Sequence, residues 1–217
     1  MDFTLCMVLG ATLTGCLGGG SSSETEGLLP PGYVEVTPGA ARLDGGTDPG
    51  NLVAVYAAGY KPYADSGFAD TLRADRNGKF AFASLEAGAY NLLVQDTAKG
   101  IAAFLAELVV PPASSAVATA KRSAELTLPG RLRGAIVDTL PRLGQARVYL
   151  PGTPFTTTAG SDGAYAFVDI PAGTYQVNRY WRNLLPCPPP GVCGGIRQHS
   201  DSAQVKIASG LETVGPP

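Results

Sequence analysis

Alternating apolar and polar positions recur along the chain, and they predict β-strands. Phe80 and Phe82 alternate with small or charged residues, as do Tyr165 and Phe167 later in the chain. A period of two places such aromatic side chains on one face of a strand. The pattern is typical of strands that pack one face against a core.

The same pattern occurs twice, at a constant offset of 85 residues. An Asn-Gly or Asp-Gly pair precedes the aromatic strand in each copy, with its glycine at Gly78 and at Gly163. Such pairs tolerate positive φ and favour tight hairpin turns. A tyrosine, Tyr90 or Tyr175, then begins the next alternating run. A repeat of this kind indicates two copies of one structural module.

Both tyrosines stand in a Leu/Ile-x-x-Gly-x-Tyr motif. This motif is typical of the tyrosine corner of β-sandwiches, in which the hydroxyl bonds back to nearby backbone. Short strands with one apolar face need a second sheet to cover that face. The sequence therefore predicts an all-β chain of two tandem, Ig-like β-sandwich domains.

The second copy supplies a family resemblance. It reads Gly-Ala-Ile-Val-Asp from Gly134, Ala-Arg-Val-Tyr-Leu-Pro-Gly from Ala146, and Ser-Asp-Gly-Ala-Tyr-Ala-Phe from Ser161. With these segments in this order, residues 130–209 resemble a carboxypeptidase regulatory-like domain. That family has a transthyretin-like sandwich and is grouped with carbohydrate-binding-like folds. The first copy matches more loosely, because about eight extra residues fall within 60–73. The resemblance implies two tandem transthyretin-like domains, and it favours a fold more strongly than a function.

The N-terminus resembles the signal of a bacterial lipoprotein. Residues 3–14 are mostly apolar but too few to span a bilayer as a helix, which takes about 20. They run into Leu-Thr-Gly-Cys, which resembles a lipobox and implies that Cys16 is lipidated. The alternative is an ordinary secretory signal. Asp2 replaces the expected basic residue, which leaves open whether Met1 is the true start.

The predicted organisation has five parts. They are a lipoprotein signal peptide (1–15), the lipidated cysteine with a Gly/Ser tether (16–27), a first β-sandwich (28–112), a linker or shared strand (113–129), and a second β-sandwich (130–217). Leu17 follows the cysteine, where an Asp would favour retention in the inner membrane. We therefore expect an exported lipoprotein of the cell envelope, at the outer membrane.

Two further cysteines, Cys187 and Cys193, bracket a Pro-Pro-Pro-Gly-Val segment. In an oxidising compartment such a pair favours a disulfide. The alternative is a metal pair or a redox dithiol. The only histidine, His199, cannot complete a four-ligand zinc site with the two sulfurs.

The sequence carries no signature of catalysis or of nucleic-acid binding. The net charge is −2, and no basic stripe is present. One histidine is too few for the machinery of a zinc carboxypeptidase, and no nucleophile elbow or P-loop occurs. Asp75-Arg-Asn-Gly78 begins like a calcium loop but lacks the later ligands, so a hairpin turn is the favoured interpretation. We predict a non-enzymatic protein without cofactor or metal.

Four aromatic residues outside the repeated pattern are candidates for a carbohydrate-binding platform: Tyr60, Tyr63, Tyr180 and Trp181. We expect them in loops or at strand ends, where flat rings can stack on sugars. The alternative is that Trp181 packs against its own sandwich. The favoured function is a cell-surface lipoprotein acting as a structural, adhesive or protein-interaction module. The second hypothesis is a carbohydrate-binding module that gathers polysaccharide. Expected partners are the membrane, through the lipid, and polysaccharide or envelope proteins.

One segment has two periodicities. Apolar residues at 101, 104, 105 and 108 fit a helix, whereas those at 102, 104, 106, 108 and 110 fit a strand. The repeat favours a strand.

Overall fold

The computed structural model describes residues 29–64, 67–115, 119–138, 145–184 and 195–215. The regular secondary-structure elements in these residues are β-strands alone, which confirms the all-β prediction. The first eight strands are β1 (Tyr33–Gly39), β2 (Arg42–Gly46), β3 (Leu52–Ala57), β4 (Ala69–Arg73), β5 (Lys79–Ala83), β6 (Gly88–Asp96), β7 (Ile101–Val110) and β8 (Arg122–Glu125). The remaining strands are β9 (Gly130–Ala135), β10 (Ala146–Tyr149), β11 (Thr156–Ala159), β12 (Ala164–Ile170), β13 (Gly173–Leu184), β14 (Ile196–Ile207) and β15 (Glu212–Val214).

Four sheets are present in the described residues. Strands β1 to β8, here called the N-terminal unit, form the sheets β5-β2-β1-β8 and β4-β3-β6-β7. Strands β9 to β15, the C-terminal unit, form the sheets β11-β10-β13-β14 and β12-β9-β15. The sheets β4-β3-β6-β7 and β11-β10-β13-β14 have the same strand order, so the repeat extends to topology.

Each unit has its own buried cluster. Val36, Leu43 and Leu92 belong to the first cluster, whose residues all precede Thr127. Leu132 and Ile170 belong to the second. These side chains are fully buried, and burial of apolar area is the main favourable term in folding. The domain boundaries given above stay predictions.

The segment predicted as a linker or shared strand, 113–129, contains β8, which pairs with β1 of the N-terminal unit. Beyond β8, Thr127 exchanges two backbone hydrogen bonds with Ala102 of β7, at 2.9 and 3.0 Å. The backbone amide of Leu126 donates to the carbonyl of Gly32 at 2.7 Å. The connection between the units is therefore hydrogen-bonded to the N-terminal unit.

The repeated turns and corners have the same geometry in both units. Gly78 and Gly163 have φ of 74° and 88°, a region that favours glycine. The Tyr90 hydroxyl donates to the carbonyl of Glu86 at 3.0 Å. The Tyr175 hydroxyl donates to that of Pro171 at 2.8 Å. Each tyrosine thus ties the start of its strand to the preceding corner.

The segment with two periodicities is strand β7, as the repeat suggested. Its pairing with β6 shifts register between Tyr90 and Leu92, where Glu107 adopts a positive φ of 57°. A β-bulge of this kind inserts one residue and leaves a backbone group unpaired in the ladder. The extra residue shifts the alternation, so Ala103 and Leu105 before the bulge and Leu108 and Val110 after it pack in the same core cluster, which accounts for the mixed spacing without a helix.

The predicted lipidation site Cys16 and the predicted disulfide pair, Cys187 and Cys193, lie outside the described residues. No helix in the described part of the chain is long and apolar enough to cross a membrane.

Candidate functional site

The outer face of the sheet β11-β10-β13-β14 is polar and aromatic. Arg147 on β10 lies opposite Thr158 on β11 and opposite Tyr180 on β13. Tyr149, two residues on, lies on the same face and opposite Asn178. The side-chain amide of Asn178 donates to the Tyr149 hydroxyl at 3.2 Å. The two strands therefore present a fixed row of hydrogen-bonding groups.

Tyr63, from the N-terminal unit, packs on this face. Its ring meets the Tyr149 ring edge-on, with centroids 4.8 Å apart. The Arg147 guanidinium lies 5.6 Å from the Tyr63 ring centroid, within the range of a cation–π interaction. Burial raises the pKa of the Tyr63 hydroxyl, and the neighbouring Tyr149 raises it further, while Arg147 lowers it. The phenol therefore keeps its proton to higher pH than an unperturbed tyrosine does.

These side chains border a groove of about 600 Å³, which we call the arginine groove. Its lining residues are Tyr63, Gln145, Arg147, Thr156, Thr157, Thr158 and Arg182. None of these residues is acidic. Among the described residues, neither Arg147 nor Arg182 forms a salt bridge. The groove is therefore cationic.

The structure separates the four predicted aromatic residues. Tyr63 lines the arginine groove and is 39% exposed, and Tyr180 lies beside it, opposite Arg147. Tyr60 is buried, at 8% exposure, against Tyr56. Tyr180 and Trp181 lie within β13 and not in loops or at strand ends, because the strand continues to Leu184. Adjacent residues of a strand face opposite sides, so Tyr180 and Trp181 cannot share a platform.

Trp181 faces the core of the C-terminal unit. It packs against the buried cluster, and its ring stacks on His199 with centroids 5.2 Å apart and planes 7° apart. The indole Nε1 donates to the Asp138 carboxylate at 2.5 Å. This is the packing arrangement that the sequence left open as the alternative to a sugar platform. The carbohydrate role of the aromatic residues stays a prediction.

A second constellation joins the two units, and we call it the inter-unit joint. The side-chain amide of Asn91 on β6 donates to the carbonyl of Gly152 at 3.0 Å. Its oxygen accepts from the backbone amide of Glu107, in the bulge of β7, at 3.0 Å. The Gly152 amide in turn donates to the Tyr60 carbonyl at 2.9 Å. Asn91 is buried, and buried polar groups of this kind must be paired.

Gly152 fits this joint because it has no side chain. Its φ is 67°, in the left-handed region. A Cβ atom there would lie 2.2 Å from the Asn91 Nδ2 and 2.9 Å from the Ala58 carbonyl oxygen. The close approach of the two backbones therefore requires glycine.

Apolar contacts surround these hydrogen bonds. Phe155, which follows β10, packs against both the C-terminal core and a small buried cluster on the outer face of β3 and β6. Phe104 of β7 stacks on Tyr175 of the C-terminal unit, with centroids 4.6 Å apart. Stacked aromatic pairs contribute about 0.5–1.5 kcal/mol beyond their buried area. The joint thus combines apolar packing with satisfied polar groups.

Sequence reasoning missed the joint, although a signal was present. Within the repeat, Ala54 and Tyr56 correspond to Arg147 and Tyr149, and β3 reads as a nearly continuous apolar run. Such a run indicates a strand buried on both faces. The outer face of β3 is indeed covered, whereas the equivalent face of β10 carries the arginine groove.

The turn at Asp75 is stabilised by hydrogen bonds from its backbone amides to the Asp75 side chain. The Asp75 carboxylate accepts from the amides of Asn77 and Lys79 at 2.7 and 2.8 Å. This arrangement is an Asx turn, which stabilises a hairpin without an ion. Within the described residues, no three His, Cys, Asp or Glu side chains cluster closely enough to hold a metal.

No protein-family model matches the chain, and no curated protein matches it. Among solved structures, the chain is similar to GBS52, the minor pilin of the Gram-positive pathogen Streptococcus agalactiae. The identity is 13%, over 79% of this chain and 82% of the pilin chain, and the TM-score is 0.30. At these values the similarity carries no inference about function.

Proposed function

We propose that this chain is a non-enzymatic lipoprotein of the bacterial cell surface, anchored through Cys16, in which the two β-units form one rigid structural and adhesive module. The observation that carries the proposal is the inter-unit joint, in which Asn91 connects the bulge of β7 to Gly152. Flexible linkage is the default for tandem domains, whose interfaces are usually polar and small. A buried, hydrogen-bonded joint favours a fixed relative orientation instead.

A fixed orientation suits a protein that presents a surface or transmits force. The resemblance of residues 130–209 to carboxypeptidase regulatory-like domains, which accompany other activities as accessory modules, supports a role without catalysis. The lipobox-like segment before Cys16 and the Gly/Ser-rich residues after it support attachment to an envelope membrane. More than one acyl chain is needed for stable anchoring.

Rigidity can be measured as a distance distribution between two spin labels. Labels at Ala81→Cys and Ser202→Cys occupy exposed positions in the two units, in a soluble form of residues 27–217 that carries Cys187→Ser and Cys193→Ser. Pulsed electron–electron double resonance should give one narrow distribution of distances between the two labels. Phe155→Ala, which removes apolar packing from the joint, should broaden it. A broad distribution in the parent protein would refute a rigid module.

Lipid anchoring at Cys16 can be tested against a matched control, because the predicted signal peptide contains a second cysteine, Cys6. Cys16→Ser removes the predicted acylation site, whereas Cys6→Ser changes a cysteine that the signal peptidase is expected to discard. In cells that express the full chain, the parent and Cys6→Ser proteins should partition into the detergent phase with the membrane lipoproteins. Cys16→Ser should lose that partitioning. Equal partitioning of all three proteins would rule out lipidation at Cys16.

The second candidate function, carbohydrate binding, is favoured by one specific observation. Tyr63 and the two arginines border an open groove on a polar sheet face. Of the four aromatic residues named from the sequence, Tyr63 lines this groove and Tyr180 lies beside it, whereas Tyr60 is buried and Trp181 packs on the core.

A further inference from the structure

The arginine groove has a chemistry that a purely structural role does not use. Arg147 and Arg182 both line it, and among the described residues neither has a carboxylate partner. We propose that the arginine groove binds an anionic saccharide, whose sugar carboxylate pairs with Arg147 and Arg182 while its ring packs against Tyr63.

The two guanidinium groups are placed to act on one anion. Arg147 lies opposite Tyr180, and Arg182 is two residues beyond Tyr180 on the same face of β13. Diagonal neighbours of this kind are about 7–8 Å apart. Arginine side chains can bridge that spacing, and each guanidinium can donate two parallel hydrogen bonds to a carboxylate.

The aromatic wall is held in position before any ligand arrives. Tyr149 contacts the Tyr63 ring edge-on, and Asn178 donates to the Tyr149 hydroxyl. Tyr63 nevertheless stays partly exposed, so a sugar ring can pack against it. Ordered side chains lose little further entropy on binding, which favours affinity.

The remaining lining groups suit sugar hydroxyls. Thr156 and Thr158 expose hydroxyl-bearing side chains, and Gln145 adds an exposed amide. Hydroxyl and amide groups both donate and accept hydrogen bonds, as sugar hydroxyls do. The volume of about 600 Å³ is in the range of small-molecule sites.

An acidic peptide fits this surface less well. Peptides add to a free sheet edge or insert apolar side chains into pockets, and arginine clusters also recognise acidic peptide motifs. The arginine groove reaches the edge strand β11 but has no apolar pocket in its lining. Besides its two arginines it presents the Tyr63 ring, three threonines and Gln145, which suit a sugar ring and its hydroxyls. The observations therefore favour a saccharide.

Both units line the groove, because Tyr63 comes from the N-terminal unit and the two arginines come from the C-terminal unit. The ligand proposal rests on the second candidate function, carbohydrate binding, and is independent of the proposed structural function. Spin-label distances measure rigidity without any ligand, and the binding experiment measures affinity without reference to anchoring.

The test measures binding of the full chain, in a nonionic detergent, to a panel of carboxylated oligosaccharides. The panel contains oligogalacturonate, oligomannuronate and a hyaluronan hexasaccharide. A fully methyl-esterified oligogalacturonate keeps the rings but removes the charge, and an oligoglutamate of the same length supplies the charge without sugar. Arg147→Gln, Arg182→Gln and Tyr63→Leu alter the groove. Arg197→Gln is the matched control, since Arg197 is an exposed arginine on the opposite face of the same sheet.

At least one carboxylated oligosaccharide should bind, and both the methyl-esterified oligogalacturonate and the oligoglutamate should bind at least about tenfold more weakly than it does. Each arginine substitution should lower affinity about tenfold or more, as expected for loss of a charge-assisted hydrogen bond. Tyr63→Leu should also weaken binding, and Arg197→Gln should not. An unchanged thermal midpoint in each variant confirms that it is folded.

Several outcomes would overturn the proposal. One is no binding by any member of the panel. Another is equal binding of the methyl ester, which would exclude a role for charge. Equal or tighter binding of oligoglutamate would assign the groove to an acidic peptide. Unchanged affinity in a folded Arg147→Gln, Arg182→Gln double variant would place any binding elsewhere.

Discussion

The side-chain amide of Asn91 donates to the carbonyl of Gly152 at 3.0 Å, across 61 residues of sequence. The same amide group accepts from the backbone of Glu107, in the bulge of β7. One buried side chain therefore satisfies a backbone donor of the N-terminal unit and a backbone acceptor of the C-terminal unit. Removing it leaves both without that partner, which makes Asn91 the most informative position in the joint.

Asn91→Ala should destabilise the protein by about 1–3 kcal/mol, the cost of leaving buried polar groups unpaired. Chemical denaturation of the soluble form measures the free energy of unfolding. Gln176→Ala is the matched control, because Gln176 occupies the corresponding position in the repeat and is exposed. Equal effects of the two substitutions would contradict the role of Asn91.

Gly152→Ala should be more harmful than the same substitution at another glycine with positive φ. Gly100 has φ of 65°, close to the 67° of Gly152, but nothing lies within 4 Å of its absent Cβ. Gly100→Ala therefore reports backbone strain alone, about 1–2 kcal/mol. Gly152→Ala adds overlap with Asn91 and with the Ala58 carbonyl, an overpacking cost of about 1–3 kcal/mol. Unfolding free energies that agree for the two variants would show that no close contact exists at residue 152.

Trp181→Ala should act through stability of the C-terminal unit. Trp181 packs on the core, stacks on His199 and donates to Asp138, so its loss should cost about 2 kcal/mol or more. Affinity for any ligand of the arginine groove should persist in the folded fraction. Loss of binding in a Trp181→Ala protein that remains fully folded would argue that the tryptophan contacts ligand.

Stability should decrease at alkaline pH because of Tyr175. Burial raises the pKa of its hydroxyl well above the ordinary value of 10.0. The folded state therefore keeps this proton to higher pH than the unfolded state does. The resulting stability is fully present below about pH 10 and is lost as the pH rises above that value. Denaturation curves at increasing pH should show the decrease, and Tyr175→Phe should make it less steep. Parallel pH profiles for the parent and Tyr175→Phe would contradict this expectation.

The strands and corners could be predicted because their determinants are local. Gly78 and Gly163 take positive φ beside an Asn or Asp, and Tyr90 and Tyr175 bond to a carbonyl four residues earlier. Such features repeat wherever the short motif repeats. Period-two alternation likewise depends only on which face of a strand is buried.

The joint and the groove could not be predicted in the same way. Asn91 and Gly152 are far apart in sequence, and neither lies in a motif that names the other. The sequence predicts Tyr180 and Trp181 in loops or at strand ends, but strand β13 continues through both residues and turns them to opposite faces. The insertion within 60–73 was visible in the repeat, but its packing of Tyr63 on Tyr149 depends on how the two units dock.

Calorimetry of the soluble form, residues 27–217, tests the central claim of one rigid module most directly. A joint that couples the two units predicts a single unfolding transition whose calorimetric and van't Hoff enthalpies agree. Asn91→Ala, or Asn91→Ala combined with Phe155→Ala, should then separate this transition into two. Two independent transitions in the parent protein, unaffected by these substitutions, would contradict the account.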